Sequence, residues 1–494
     1  MTELPRPAEE LVAQVPSVIR AYLEALEAAV ASLQARVTEL EARLRQDSST
    51  SSRPPSSDPP GTQAQRRAPA PPPAGPGERR QRGGQPGHPG HHRPLLPEER
   101  VDRVVEVRPA ACRGCGTALS EAGGAGDPAA ERVQVVELPP VRAEVTEYRL
   151  AARRCTACGV VTRAARPAEA GAGSFGPRLQ AMAALLVGRY RLSRREAVAC
   201  LAEIGEVELS VGALAQLEQV TSAALEPVVA EVAAAVRAAP VANPSASSGE
   251  ALDETGWWQG NKRAWLWTMV TETLTLFRLD PSRSKAVAQD LLGADWAGIV
   301  GSDRYAAYRY LPLERRQLCW AHLIREFRKL AVYNQQQRPL GERLLDLSSR
   351  IFAAWHRFGA GAIDRPALLL ELAPLQADLE LALEAGLDPP HASVAGALCG
   401  NLLDHWPALW TFAHVEGVEP TNNVAERALR PAVLWRKGSV GTQSDAGSRF
   451  VERLLTVAAS CKQQGRGLLD FLVQAVTADR LGLPPPSLVP IATS

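Results

Sequence analysis

AGIVGSDRY, residues 297–305, is a short apolar run that stops at Gly-Ser and then a charged aspartate, Asp303. That pattern reads as a buried strand running out at Asp303. Upstream, RAWLWTMV (263–270) and TLTLFRL (273–279) read as an antiparallel hairpin joined at Thr271-Glu272. SKAVAQDLL (284–292) is helical in pattern, and EALDETGWW (250–258) holds a short apolar stretch that ends at Asp253. Downstream, RQLCWAH (316–322) reads as another strand, leading into the helical LIREFRKL (323–330).

Three strands, a helix, a strand, a helical turn and a fifth strand are the order of an RNase H-like sheet. In that layout Asp253 lies on the first strand and Asp303 at the end of the fourth, its neighbour. Two carboxylates at one site repel, and each resists ionisation unless a cation neutralises them. Two Mg²⁺ ions, or Mn²⁺, do this while activating a nucleophile and stabilising the leaving oxygen of a phosphodiester. A third acid is then expected from a later helix, and TNNVAERALRP (421–431) offers Glu426. Asn422, Glu426 and Arg430 are spaced by four and share a helix face, so Arg430 is placed to hold a phosphate or steady the acid. Each acid also has a plainer reading. Asp253 begins a turn before Gly256, Asp303 caps a helix starting at Tyr305, and Asn423 with Glu426 has capping-box spacing, Asn at N-cap and Glu at N3.

The chain has 494 residues, 45% of them hydrophobic, and a formal net charge of +1. It is long enough for several domains, and any electrostatic footprint for nucleic acid has to be local. MTELPRPAEE lacks the layout of a signal peptide, and AMAALLV (181–187) is far shorter than the roughly 18 residues of a membrane span. A soluble, cytoplasmic protein without a membrane partner is the expectation.

Ile19, Leu23, Leu26, Val30, Leu33, Val37, Leu40 and Leu44 form a heptad seam in the segment 1–46, which predicts a coiled coil that pairs copies of the chain. Residues 47–100 are rich in Pro, Gly and Ser, with Arg66, Arg67, Arg79, Arg80, Arg82 and Arg93 against Glu78. That composition predicts a disordered basic linker, either a phosphate-binding arm or a solvated spacer. CRGCG (112–116) and CTACG (155–159) have the form of zinc knuckles. Cys112, Cys115, Cys155 and Cys158 supply four thiolates for one structural Zn²⁺, in a ribbon over 101–166 whose middle is a hairpin of RVQVVELP (132–139) and EVTEYRLAARRC (144–155). Arg153 and Arg154 are DNA-contact candidates there. Residues 175–236 read as helical, with a turn at Gly205 and Ser210 as N-cap of a second helix, compatible with a helix-turn-helix.

Taken together and in order, LDETGWW, GSDRYAAY, CWAHLIREF and TNNVAERALRPAVLWRK resemble the DDE transposases of the insertion-sequence-66 family. SSRPPSSD (51–58), GGQPGHPGHH (83–92) and the knuckles are similar to that family's N-terminal half. The resemblance implies Asp253, Asp303 and Glu426 as the catalytic, Mg²⁺-holding acids. It implies Cys319 and His322 as a Cys-x-x-His element, supporting the acidic site or binding a second metal. Asn422, Asn423 and Arg430 support the site, and Arg436 and Lys437 join the DNA-contact candidates. Thr421 departs from the Asp of many relatives, and GSVGTQSDAGSRF (438–450) from their aromatic run.

The expected architecture is multidomain α/β plus α. An RNase H-like core over 245–322 is completed by 419–480, with a helical insertion at 323–418. The expected activity is cutting of the 3′ strands at element ends and their joining to target DNA. The implied partners are DNA, further copies of the chain and accessory proteins of the same element. A metal-dependent nuclease or resolvase uses the same acids, and a non-catalytic DNA-binding protein needs only the N-terminal modules.

Overall fold

The computed structural model describes residues 94–120, 131–171, 173–246, 257–293, 295–333, 335–387 and 393–490, with scattered positions from 16 to 37. Two compact units divide the chain: 64–143, and 1–63 together with 144–494. Among the scattered positions Ile19, Leu23, Leu26, Leu33 and Val37 are helical and exposed, as a heptad seam on a single chain is. Leu40 and Leu44 lie outside the described residues.

In the smaller unit the Gln134 side chain brackets Leu96, accepting its N–H at 2.7 Å and donating to its carbonyl at 2.9 Å. The run around it forms no strand, and Val133, Val135, Val136 and Leu138 stay exposed. This differs from the expected mid-ribbon hairpin. The hairpin that forms lies in the larger unit and straddles the second knuckle. There β1 (Ala152–Arg154) pairs with β2 (Val161–Arg163), because the Cys155–Gly159 turn brings those two strands within reach.

Three helices follow. α1 (Pro177–Gly188) is entered through a proline in its first turn. α2 (Arg194–Gly205) begins with a complete capping box, Ser193 with Glu196, and ends as Glu206 turns into the left-handed region. α3 (Val211–Ala238) is capped by the Ser210 hydroxyl on the Ala213 N–H. By length and composition α3 could cross a membrane. Its Leu214, Leu225, Val228, Val232 and Val236 are instead fully buried in the principal core.

The mixed α/β core is built on one sheet. Its strands are β3 (Val241–Ala246), β4 (Trp257–Gln259), β5 (Lys262–Val270), β6 (Thr275–Asp280), and, after α4 (Lys285–Leu292), β7 (Ile299–Ser302) and β8 (Arg316–Leu318). Across the sheet the order is β6, β5, β3, β7, β8, with β7 parallel to both β3 and β8. Val241–Ala246, within the proline-containing PVANPSA (240–246), therefore supplies the central strand. β4 lies on the same edge of β5 as β3, with Trp257 opposite Ala264 and Ala246 opposite Trp267. The β5–β6 hairpin closes with Val270 opposite Thr275, as its sequence predicts. Alternation along β5 sends Trp267 and Met269 to the core shared with α1–α3, and Ala264 and Leu266 to the opposite face.

Beyond β8 come five helices: α5 (Trp320–Tyr333), α6 (Arg338–Gly359), α7 (Arg365–Ala385), α8 (Val394–Asp404) and α9 (Pro407–His414). They bury a second core around Trp320, Phe327, Ile351, Leu372, Cys399 and Phe412. α5 and α6 approach so closely that a Cβ on Gly341 would lie 2.4 Å from the Ala331 nitrogen. The chain then returns to the sheet through α10 (Asn423–Ser439), β9 (Gly441–Thr442), which pairs with β4, α11 (Asp445–Gln463) and α12 (Leu468–Leu481).

α11 seals the outer edge of the sheet without adding a strand. Glu452, Thr456 and Ser460, four apart on the helix, accept the N–H groups of Leu279, Phe277 and Thr275, two apart on β6. Four helical residues rise about 6 Å and two strand residues about 6.8 Å, so the two ladders stay in step. An edge that would invite pairing with another chain is satisfied by side chains.

Candidate functional site

β7 delivers Asp303 at its C-terminal end. The Asp303 Oδ1 accepts the Tyr305 N–H at 3.1 Å, and a short 3₁₀ turn, Ala306–Tyr308, follows. β3 is parallel to β7, with Ala242 opposite Val300, so both strands run out toward the same end of the sheet. Asp253 lies outside the described residues, in the ten-residue stretch between Ala246 and Trp257. The chain enters that stretch from the end of the sheet at which β7 presents Asp303.

Glu426 comes from the first turns of α10. The N-cap is Asn422, not Asn423, and no side chain caps the helix. The capping box expected from Asn423 and Glu426 is therefore absent. Instead the Glu426 carboxylate reaches across to α5, one oxygen 3.2 Å from His322 Nε2 and the other 3.3 Å from Arg325 Nη2. Burial alone lowers the His322 pKa, but the Cys319 side chain and the charges of Glu426 and Asp303 outweigh it, and the net shift is upward. Asp303, His322 and Glu426 thus share one electrostatic neighbourhood, although the two acids are far apart in sequence.

Cys319 is the joint between their carriers. Its N–H donates to the Ser302 carbonyl at 2.8 Å, beside Asp303, and its Sγ accepts the Asn422 N–H at 3.1 Å, at the start of α10. Trp320 N–H donates to the Pro420 carbonyl at 3.0 Å and tightens the same junction. Arg304, pushed down in pKa by burial, reaches Asn401 of α8 at 3.1 Å, so the helical segment is fastened at the end of β7. Arg325 and Arg304 escaped the sequence reading. The spacing of Arg325 three after His322 was the available signal, since it places both on one face of α5.

This arrangement sits inside a region, 172–449, that matches the family model described as Transposase IS66 family and spans more than half of the chain. The chain belongs to the IS66 transposase family. Residues 2–94 match a separate family of unknown function, DUF6444. The chain is also similar to the uncharacterized protein y4qI of Sinorhizobium fredii (strain NBRC 101917 / NGR234), 26% identical over 251 residues, covering 45% of each chain. The chain thus spans less than half the length of that relative.

Other predicted site residues of this IS66-family chain lie apart from the acids. Arg430 is exposed one turn beyond Glu426, while Arg436 and Lys437 occupy the last turn of α10, half-buried and exposed respectively. Arg153 and Arg154 are exposed on β1, where Arg154 Nη1 donates to the Gly159 carbonyl at 2.8 Å. Along α3 the exposed positions include Gln216, Gln219, Glu226 and Glu231, and Arg237 is the helix's one basic residue. The basic side chains of this helical region cluster instead at the α1–α2 connection, where Arg189, Arg191, Arg194 and Arg195 are exposed. Arg194 also forks onto the buried Glu218, with its closest contact at 2.7 Å, and ties α2 to α3.

The knuckles, each taken alone, have the same turn. Gly116 donates to the Cys112 carbonyl and Gly159 to the Cys155 carbonyl, both at 2.9 Å, and both glycines have left-handed φ, 76° and 73°. The Thr117 hydroxyl and amide lower the Cys115 pKa, and the Cys158 and Ala157 amides lower that of Cys155. Such turns favour thiolates, the form that binds zinc. Among the described residues no group of three or more His, Cys, Asp and Glu is gathered as a metal site.

Proposed function

We propose that this chain is a DDE-type DNA transposase, with Asp253, Asp303 and Glu426 as its acids on an RNase H-like core. The reading rests on family membership and on one observation. Cys319 fastens the end of β7 to the start of α10, bringing Asp303 and Glu426 into the same electrostatic field around His322. The strand order β6, β5, β3, β7, β8, with the first three antiparallel and the last two parallel, supports the core assignment.

The donor set, the hard carboxylate oxygens of Asp303 and Glu426, is of the kind that suits Mg²⁺ or Mn²⁺, and an ion at Glu426 would share its oxygens with the His322 and Arg325 contacts. Bound there, two ions would supply activation of the attacking oxygen and neutralisation of the leaving one. Asp303 and Glu426 would hold them from β7 and α10, with Asp253 as the third acid from the sequence. His322 and Arg325 orient the Glu426 carboxylate, and the exposed Arg430 meets a DNA phosphate. Water cuts the 3′ strand at each element end, and the freed 3′-hydroxyl attacks target DNA in line, without a covalent enzyme intermediate.

Zinc at the knuckle thiols and DNA contacts from Arg153, Arg154, Arg436, Lys437 and the α1–α2 connection complete the recognition apparatus. The exposed seam of Ile19, Leu23, Leu26, Leu33 and Val37 pairs protomers so that two ends are handled together. The place of action is the cytoplasm, at the nucleoid. The test is a cutting and joining assay on element ends with Mn²⁺. Asp303→Asn and Glu426→Gln are expected to lower both steps by about 1,000-fold or more while DNA binding persists. Cutting that survives either change defeats the reading, and cutting without joining leaves a nuclease.

A further inference from the structure

Beside Asp303 lies a cluster of hydrogen-bond donors that the acidic site does not use. Arg283, between β6 and α4, has its Cζ 4.0 Å from the centroid of the Tyr305 ring, and Tyr305 donates its hydroxyl to the Arg283 carbonyl at 2.5 Å. Tyr305 is the residue whose N–H is held by Asp303. The guanidinium Nε of Arg283 is buried and has no hydrogen-bond partner, and the same is true of the Tyr308 and Tyr310 hydroxyls. Tyr308 is 1% exposed, and its hydroxyl feels both the negative charge of Asp303 and the positive charge of Arg283. Lys285 Nζ stands 5.7 Å from the Tyr310 ring centroid.

Buried donors without acceptors are costly, about 1–3 kcal/mol each, and native proteins keep few of them. Four side chains here present N–H or O–H groups. Burial keeps both phenols protonated and able to donate, that of Tyr310 being pushed up to about 12. Of the four, the half-buried Arg283 and the exposed Lys285 are the cations that an anion rich in acceptor oxygens can reach, with the phenols enclosed behind them. A guanidinium held over an aromatic ring has lost much of its freedom and can grip the oxygens of a phosphate with two parallel hydrogen bonds.

We propose that Arg283, held against Tyr305 and assisted by the exposed Lys285, forms a subsite for a backbone phosphate of the DNA strand that enters the acidic site. The subsite rests on the transposase reading for the identity of its ligand. It fixes the strand a short distance from the scissile bond, so that Asp303 meets a phosphodiester already in register.

The experiment uses the full chain without added Mg²⁺ or Mn²⁺ and two probes, a short oligothymidylate and the same strand with an uncharged methylphosphonate backbone. Affinity is measured against salt. Arg283→Ala is expected to weaken the charged strand about 10-fold or more and to flatten the log–log salt slope by about 0.7, one phosphate's worth. The uncharged strand should bind wild type and variant alike. Arg283→Lys should keep the wild-type slope but not the full affinity, because an ammonium does not stack on Tyr305 or grip two oxygens at once. This variant also carries the test should the alanine variant melt early.

An unchanged slope in Arg283→Ala overturns the subsite, as does equal weakening for both strands. Wild-type affinity in Arg283→Lys does so too. The two readings fail separately. If wild type cuts no DNA yet the Arg283-dependent slope is present, the phosphate subsite stands and the transposase reading falls. If wild type cuts and joins while the slope ignores Arg283, the reverse holds.

Discussion

Glu452 gives the sharpest test of how the sheet is held. It is buried on α11, accepts the Leu279 N–H at the edge of β6, and lies 2.8 Å from Arg449. Burial raises its pKa from 4.5 to about 7, against the opposing pull of Arg449 and the Leu279 amide. A proton held about 300-fold more tightly in the folded state corresponds to ~3 kcal/mol. The folded pKa is raised, so the stabilisation is fully present below the unfolded value of 4.5 and is lost as pH rises through about 7. Between pH 5 and pH 8 the wild-type fold should lose roughly 2.5 kcal/mol from this one group.

Glu452→Gln keeps an acceptor for Leu279 but cannot ionise. Its stability relative to wild type should therefore improve by that ~2.5 kcal/mol from pH 5 to pH 8, whatever the offset from the weakened Arg449 contact. Denaturant unfolding of both proteins at the two pH values gives the difference, and contributions from other titrating groups cancel in it. Exchange protection of the Leu279 amide reports the same change locally. A difference that is flat with pH refutes the reasoning. It would mean that Arg449, with Arg278 and Arg453 behind it, keeps Glu452 ionised throughout.

Three further outcomes follow from particular contacts. Gly341→Ala drives a Cβ into the Ala331 backbone and should cost about 1–3 kcal/mol by wedging α6 away from α5, seen as a lowered melting temperature; an unchanged one contradicts the close approach. Cys319→Ala leaves the Asn422 amide without its Sγ acceptor and should cost about 1–3 kcal/mol, whereas Cys319→Ser, which restores an acceptor, recovers part of it; equal losses in both deny the joint. Cys115→Ser should lower the zinc content of the purified chain, and full zinc after the change removes Cys115 from the ligand set.

Periodicity carried much of the fold. The β5–β6 hairpin, α4, β7 and the body of α5 are where alternation and helical spacing put them, because each is a local pattern that burial reinforces. The central strand was not legible. PVANPSA has two prolines and small polar residues, and it becomes β3 only because β5 and β7 offer ladders on both sides. RVQVVELP fails in the opposite sense. Its alternation is clean, but its valines find no partner strand and stay exposed. Side-chain replacement of a strand along β6 was equally hidden. Glu452, Thr456 and Ser460 look in sequence like an ordinary polar row on a helix, and only their match to β6 gives the row a purpose.

Glu426 shows how a distant contact overrides a local rule. Asn423 and Glu426 satisfy the local rule for a capping box, and on local energetics that box is worth about 1 kcal/mol. The structure starts the helix one residue earlier, with Asn422 as N-cap and its N–H committed to Cys319 Sγ. With the box given up, the carboxylate no longer serves its own helix and extends to α5, where His322 and Arg325 receive it. Those two contacts are charge-assisted, and each can exceed the capping bond it replaces. The tertiary bond at Cys319 therefore favours this start of α10, and with it Glu426 faces α5. The feature that frees the acid is a cysteine about 100 residues upstream, beyond the reach of any local capping rule.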